Sequence, residues 1–501
     1  MLQTIRESPN YKWWAFAAIS IGSFISVVDT GSMLVALPDI ESHFNTNLAT
    51  VQWVVVGYAL AISVLLLPMG RLGDLVGRKK VYLIGFVIFV LAAALAGASR
   101  WINLPTLIVA KVLQGAGSAM LQGTGTAMLI SIFPADERGK LLGSHLSVVG
   151  GGAIAGPALG GFLVSFLGWQ WVFLINVPVG IIAIAITLLV LQGDQQVRGS
   201  GGAPATFDWP GAVLSAGALL VVLLVVGNGD RAGWTSPIIL AGAAGSAALL
   251  AAFIWWELRV DSPMLDLRLF KRKLVALGVA AGWISFLTSM ASRFMMPFYL
   301  QRVLLYSPKE VGLIMIPAAI CMVVVGPISG RLSDRFGWRF LTVGGLLLGA
   351  AAWLVLATNL SQDTSVGLII AMLMLQSFGT GLFFTPNSSS ILSAVERSSY
   401  GVVSALTQLV RNSANVTSIA LATTVVVTVM GAKGVEPSLD AVSPLVADAF
   451  LSGLRLTFWL MAGTLLVGVV LSIIRGERAE QRAGPAVQAR VSESAPGESD
   501  P

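Results

Sequence analysis

Asp29 stands within the apolar run Phe24 to Pro38, FISVVDTGSMLVALP. A carboxyl group in that setting has one obvious chemistry, reversible protonation. An ionised side chain in hydrocarbon is costly, usually faces a protein interior and marks an ion or substrate path. The other Asp and Glu residues are expected at the ends of apolar runs or in connections, so this acid is the one place to carry a proton. Three bases lie inside apolar runs: Lys111, Arg293 and Arg411. Lys111 is the expected partner of the acid. With the first run directed outward and the fourth inward, Asp29 lies about nine residues (roughly 13 Å) and Lys111 about seven residues (roughly 10 Å) below the same face. An approaching ammonium favours the carboxylate and withdrawal from water favours the neutral acid; a fixed structural ion pair is the competing expectation. Arg411 lies in SALTQLVRNSANVTS, whose polar members Gln408, Asn412 and Asn415 could line a cavity. Arg293 reads as an anchor to backbone carbonyls or as a cavity residue. His145 and His43 read as incidental.

The elements that must position these groups are membrane helices. Of 501 residues 55% are hydrophobic and 11% charged, and the mean hydropathy is +0.82. Apolar runs of about 20 residues, long enough to cross roughly 30 Å of hydrocarbon as helix, recur throughout. They are too long and too uniform for the alternating strands of a barrel. Fourteen spans are expected. The connections on one side carry only Arg100, Arg231, Arg302, Lys309, Lys433 and Arg455, and the remaining Lys and Arg outside spans lie on the other side. That bias places both termini in the cytoplasm and assigns the sequence pI of about 9.6 to a membrane face rather than to nucleic acid. No removable signal peptide is expected, and Cys321 reads as a small apolar residue.

Two stretches repeat. Gly70 to Lys80 reads GRLGDLVGRKK and Gly330 to Arg339 reads GRLSDRFGWR, so Gly70, Asp74 and Gly77, followed by Arg78, match Gly330, Asp334 and Gly337 in spacing. Glycines allow helix ends to approach and an aspartate can cap a helix start, which suits a hinge between helices. In GAIAGPALGG, residues Gly152, Gly156 and Gly160 share a helix face, Pro157 invites a bend, and Gly161 ends the stretch. On these motifs, and on LIVAKVLQGAG (107–117) and WQWVFLINVPVG (169–180), the chain resembles the major facilitator superfamily, in its fourteen-span drug:proton antiporter subgroup. Lys111 stands where that family usually has Arg.

The resemblance implies an all-α polytopic membrane protein of the major facilitator fold, two six-helix bundles plus two extra transmembrane helices. The expected organisation is a cytoplasmic N-terminus (1–12), a first bundle (13–191) and a linker (192–207). Two additional helices (208–256), an amphipathic interfacial segment (257–273), a second bundle (274–474) and a disordered tail (475–501) complete it. It implies a substrate site between the halves, with spans 1 and 4 facing the cavity, Asp29 and Lys111 coupling protons, the 70–78 and 330–337 repeats governing conformation and the 152–161 stretch marking an antiporter. Further cavity candidates are Trp53, Tyr58, Gln114 and Tyr299. The expected function is export of hydrophobic or amphipathic molecules by a monomer in the cell membrane, driven by the proton gradient, with no cofactor, metal or nucleic acid. Lipid or glycolipid export and uncoupled facilitation are the alternatives; a membrane enzyme lacks a nucleophile with a base or a metal cluster.

Overall fold

A computed structural model describes residues 10–46, 48–134, 137–191, 207–260, 263–306, 308–395, 400–435, 442 and 446–475. Fourteen of its helices are long and apolar enough to cross a membrane. They are α1 (Tyr11–His43), α2 (Leu48–Val76), α3 (Arg78–Ala98), α4 (Leu104–Ile132), α5 (Arg138–Leu167), α6 (Asn176–Val190, which with the helical turn Trp171–Leu174 before it makes the span) and α7 (Trp209–Ala232). The others are α8 (Pro237–Glu257), α9 (Lys273–Phe298), α10 (Pro308–Phe336), α11 (Trp338–Asn359), α12 (Val366–Ser393), α13 (Tyr400–Ala432) and α14 (Ala447–Ile474). No strand occurs among the described residues.

Helix starts reflect local chemistry. Asn103 accepts from the Thr106 N–H at 2.9 Å, with a proline in the first turn of α4, and Asp208 accepts from Gly211 at 2.9 Å ahead of α7. The repeated motif ends in a glycine because the backbone there is left-handed, with φ of 112° at Gly77 and 83° at Gly337, a conformation a Cβ disfavours. Large apolar side chains such as Phe166, Ile238 and Phe340 point outward, as lipid-facing helices allow.

The halves repeat one packing scheme. In the first, α1 packs on α5, and α4 packs on α2 and α3; in the second, α9 packs on α13, and α12 packs on α10 and α11. The halves meet where α5 crosses α10 and where α13 crosses α2 and α4. The extra pair α7 and α8 forms a hairpin whose α7 lies against α2 and α13, beside that second contact.

Two segments pack more closely than expected. The stretch preceding α9, expected as an amphipathic segment in the interface, packs part of its apolar side on protein: Met264, Leu265 and Leu269 are buried, and Arg272 donates to the Ala394 carbonyl. Those three apolar residues find protein partners before lipid. Arg475, placed in the tail by sequence, is buried below α14, with its Nη atoms 2.5 Å from Asn387 Oδ1 and Ser390 Oγ. Residues 476–501, 1–9 and 192–206 lie outside the described residues.

Candidate functional site

Asp29, midway along α1, is 1% exposed and Lys111 on α4 is 0% exposed. Lys111 Nζ donates to Asp29 Oδ2 at 2.7 Å and to Gln114 Oε1 at 2.7 Å. Asp29 Oδ1 accepts from Asn176 Nδ2 on α6 at 2.8 Å and from Gln114 Nε2 at 3.2 Å. Each carboxylate oxygen therefore has at least one donor. The ammonium also stands 4.3 Å from the Tyr58 ring centroid and 5.2 Å from that of Phe173, so its remaining side meets aromatic faces rather than water. Tyr58 donates or accepts at 2.8 Å with Ser118, which reaches Ser26 at 3.3 Å. Chemically this is an ion pair between two helices, with two neutral amides that can hold either partner if the pair parts.

The glycine stretch of α5 packs directly on the acid's helix. A Cβ at Gly156 would stand 2.9 Å from the Val28 carbonyl and one at Gly160 2.6 Å from Ser32 Cα, so larger residues would push α1 away. Gly152 meets Phe24 and Val27, and Ser32 Oγ donates to the Gly156 carbonyl at 2.7 Å. Pro157 abuts Gly31, whereas Gly161 faces open space and takes no part in the seam.

A cavity of about 40 Å³ lies between the halves, walled by Thr126 of α4, Leu142, His145, Leu146 and Val149 of α5, Phe384, Ser388 and Leu392 of α12, and Ser404, Thr407, Gln408 and Arg411 of α13. Asp29 and Lys111 are not in its wall, contrary to the expectation that the acid borders the cavity. Their ion pair is buried between α1, α4 and α6. Gln408 and Arg411 do line it; Asn412 and Asn415, farther along α13, do not. Tyr58 and Gln114 serve the ion pair instead. Trp53 is exposed, outside the wall, and Tyr299 is buried in the second half, donating to the Ser361 carbonyl at 2.6 Å. Arg293 Nη2 contacts Met322 Sδ at 3.2 Å rather than backbone carbonyls. His145 faces the cavity; it lies on the same stripe of α5 as Gly152 and Gly156, which pack on α1, but about two turns nearer the start of that helix.

The two repeated motifs bind across the halves. Asp74 holds Arg78 at 2.8 Å through Oδ1 and accepts the Val402 N–H of α13 at 3.2 Å through Oδ2. Asp334 accepts the Lys140 N–H of α5 at 3.1 Å. Each aspartate thus meets the first turn of a helix of the opposite half, where orphan N–H groups and the helix dipole favour an anion; the motif alone places the cap within its own hairpin. Next to Asp334, Gly143 and Gly326 bring α5 and α10 into backbone contact, and Ser147 donates to the Val323 carbonyl.

Asn176 is a site residue that the sequence reading misses, although an amide amid the apolar sequence FLINVPVG is a visible signal. The second half has a neutral counterpart: Gln376 of α12 donates to Ser289 Oγ of α9 at 2.8 Å and to Thr380 at 3.0 Å. Gly345 and Gly379 touch there as Gly85 and Gly117 do in the first half.

Known proteins place this geometry. The chain is 32% identical over 408 residues to the riboflavin transporter RibZ of Clostridioides difficile, covering 80% of this chain and 85% of that protein. It is 31% identical over 396 residues to the tetracenomycin C resistance and export protein of Streptomyces glaucescens, covering 79% and 72%. The crystal structure of the human organic anion transporter MFSD10 (TETRAN) superposes with a TM-score of 0.64 at 15% identity, covering 93% of this chain and 100% of that one. Residues 19–419 match the Major Facilitator Superfamily, and the chain belongs to that family of membrane transporters.

Proposed function

We propose that the protein is a proton-coupled exporter of hydrophobic or amphipathic small molecules, working by alternating access as a monomer in the cell membrane with both termini cytoplasmic. The observation that carries this reading is the Asp29 to Lys111 pair, fully enclosed yet flanked by Gln114 and Asn176. Protonation of Asp29 removes the charge that holds Lys111. The ammonium then rests on Gln114 and Tyr58, and the neutral acid on Asn176, so the three helices can shift without leaving a bare charge. Coupling to the cavity passes through helices rather than direct contact. Lys111 and Gln114 share α4 with cavity residue Thr126, and α1 packs on the α5 that carries His145 and Val149. In the arrangement described the acid is shut from water, so proton exchange belongs to another arrangement of the halves.

The Asp74 and Asp334 contacts close the cytoplasmic side, and their release opens it; the proton gradient is the only energy source required. The export-type relative supports the direction of transport. One observation favours a second reading, an uncoupled transporter braced by a permanent ion pair: the acid does not border the cavity. Transport in reconstituted vesicles separates the two. An imposed pH gradient accelerates cargo movement, with cargo-dependent proton flux, for the protein and not for Asp29→Asn. Movement at one rate with and without the gradient rejects coupling.

A further inference from the structure

The cavity between the halves carries positive charge and no acid. Arg411 lines it, and among the described residues none pairs with its guanidinium or accepts a hydrogen bond from it. Three more polar atoms of the wall are buried without a partner: His145 Nδ1, Ser388 Oγ and Ser404 Oγ. Ser390 and Ser413 of the same two helices spend their hydroxyls on the preceding turn, on Asn387 and Val410 at 2.7 and 3.0 Å, while Ser418 of α13, outside the wall, is also buried without a partner. The hydroxyls of Ser388 and Ser404 make no such bond. The charge on Arg293 of α9 also acts on Arg411.

The first half's acid offers a cation nothing here. Asp29 lies outside the wall and is already held by Lys111, Gln114 and Asn176. A cationic cargo would meet Arg411 with no counter-charge, a repulsive pairing in a medium that screens little. An anion would satisfy the fork of Arg411 and the free hydroxyls together. A cavity of about 40 Å³ holds roughly three waters at 10–15 Å³ each, which suits a carboxylate group and not a whole drug-sized molecule. Leu142, Leu146, Val149, Phe384 and Leu392 supply apolar wall beside it.

We propose that this cavity is the subsite for the anionic end of the cargo, a carboxylate carried on an apolar body, with Arg411 as its counter-ion and His145, Ser388 and Ser404 as hydrogen-bonding neighbours. The assignment rests on the transporter reading above and names its cargo class.

The test is equilibrium binding to the full-length protein in lipid nanodiscs, with no pH gradient, of three probes that share one ring system. They are 1-naphthaleneacetate, 1-naphthaleneacetamide and (1-naphthylmethyl)trimethylammonium. The carboxylate binds about tenfold or more tighter than the amide, as expected for a charge-assisted contact, and the ammonium binds weakest. Arg411→Gln abolishes the preference, Arg411→Lys keeps part of it, and His145→Gln weakens carboxylate binding severalfold. Thermal unfolding of each variant verifies folding, and the Lys and His variants suffice should the Gln variant not fold. Equal affinity for carboxylate and amide, no binding of any probe, or a preference that survives these substitutions overturns the assignment. Because no gradient is applied, such a result leaves proton coupling standing, and a failure of Asp29→Asn to alter gradient-driven transport leaves the anion subsite standing.

Discussion

Replacing Asp29 by Asn removes one charge and almost no volume, and the contacts around the pair set the cost. Lys111 is left with no counter-ion in a site with no solvent exposure, a change that costs about 3–5 kcal/mol when a buried pair loses one member. Gln114 Oε1 at 2.7 Å and the Tyr58 ring at 4.3 Å stay with the ammonium in both forms and keep the loss at the lower end of that range. The expected net loss is about 3 kcal/mol, read as a lower unfolding midpoint in nanodiscs. The double variant Asp29→Asn with Lys111→Met removes the stranded ammonium and regains most of that stability, since apolar or neutral replacements of buried pairs are often neutral or stabilising. Gradient-driven efflux in vesicles answers differently: it is lost in the single variant and stays lost in the double. A double variant that regains stability and gradient-driven efflux together would refute the reasoning, for the pair would then be a brace with no part in coupling.

Three further outcomes depend on contacts between and within the halves. Gly143→Val places a Cβ 2.2 Å from the Gly326 carbonyl oxygen, so the halves part on that side. Spin-label distances between α5 and α10 lengthen and efflux falls about tenfold or more, whereas unchanged distances would show that the contact is not a closing point. Asp74→Asn combined with Asp334→Asn weakens two anion contacts at helix starts, each about 0.3–1 kcal/mol and up to ~2 when partly buried. Cysteines at the ends of α5 and α13 then label several times faster, and an unaltered rate would count against the closure. Ser289→Ala removes a neutral bond to Gln376 at 2.8 Å, costs about 1 kcal/mol and leaves the gradient dependence of efflux intact; loss of that dependence would place coupling in the second half as well.

Much of this is readable along the chain. Apolar runs of about 20 residues can be satisfied in lipid only as helices, so the fourteen helices come from composition. The GRLGDLVGRKK and GRLSDRFGWR repeats reveal the two-fold scheme because they recur with one spacing. The nearness of Asp29 and Lys111 comes from helical rise alone, since depth in a membrane is counted in residues at 1.5 Å each. Such counting fixes one coordinate. It gives no azimuth, and azimuth decides that Gln114 and Tyr58 turn toward the ion pair, that His145 turns into the cavity, and that Trp53 turns away from it.

The sequence by itself determined the helices, their order and the depth at which the charges lie, because those depend on local composition and on rise along an axis. Only the tertiary structure decided which charges are neutralised and which are left bare. Asp29, Lys111, Gln114 and Asn176 come from three helices, and Arg411 and His145 from opposite halves, so whether each finds a partner depends on how the helices rotate and close. That closure walls the carboxylate off from the cavity and leaves the Arg411 guanidinium facing into it.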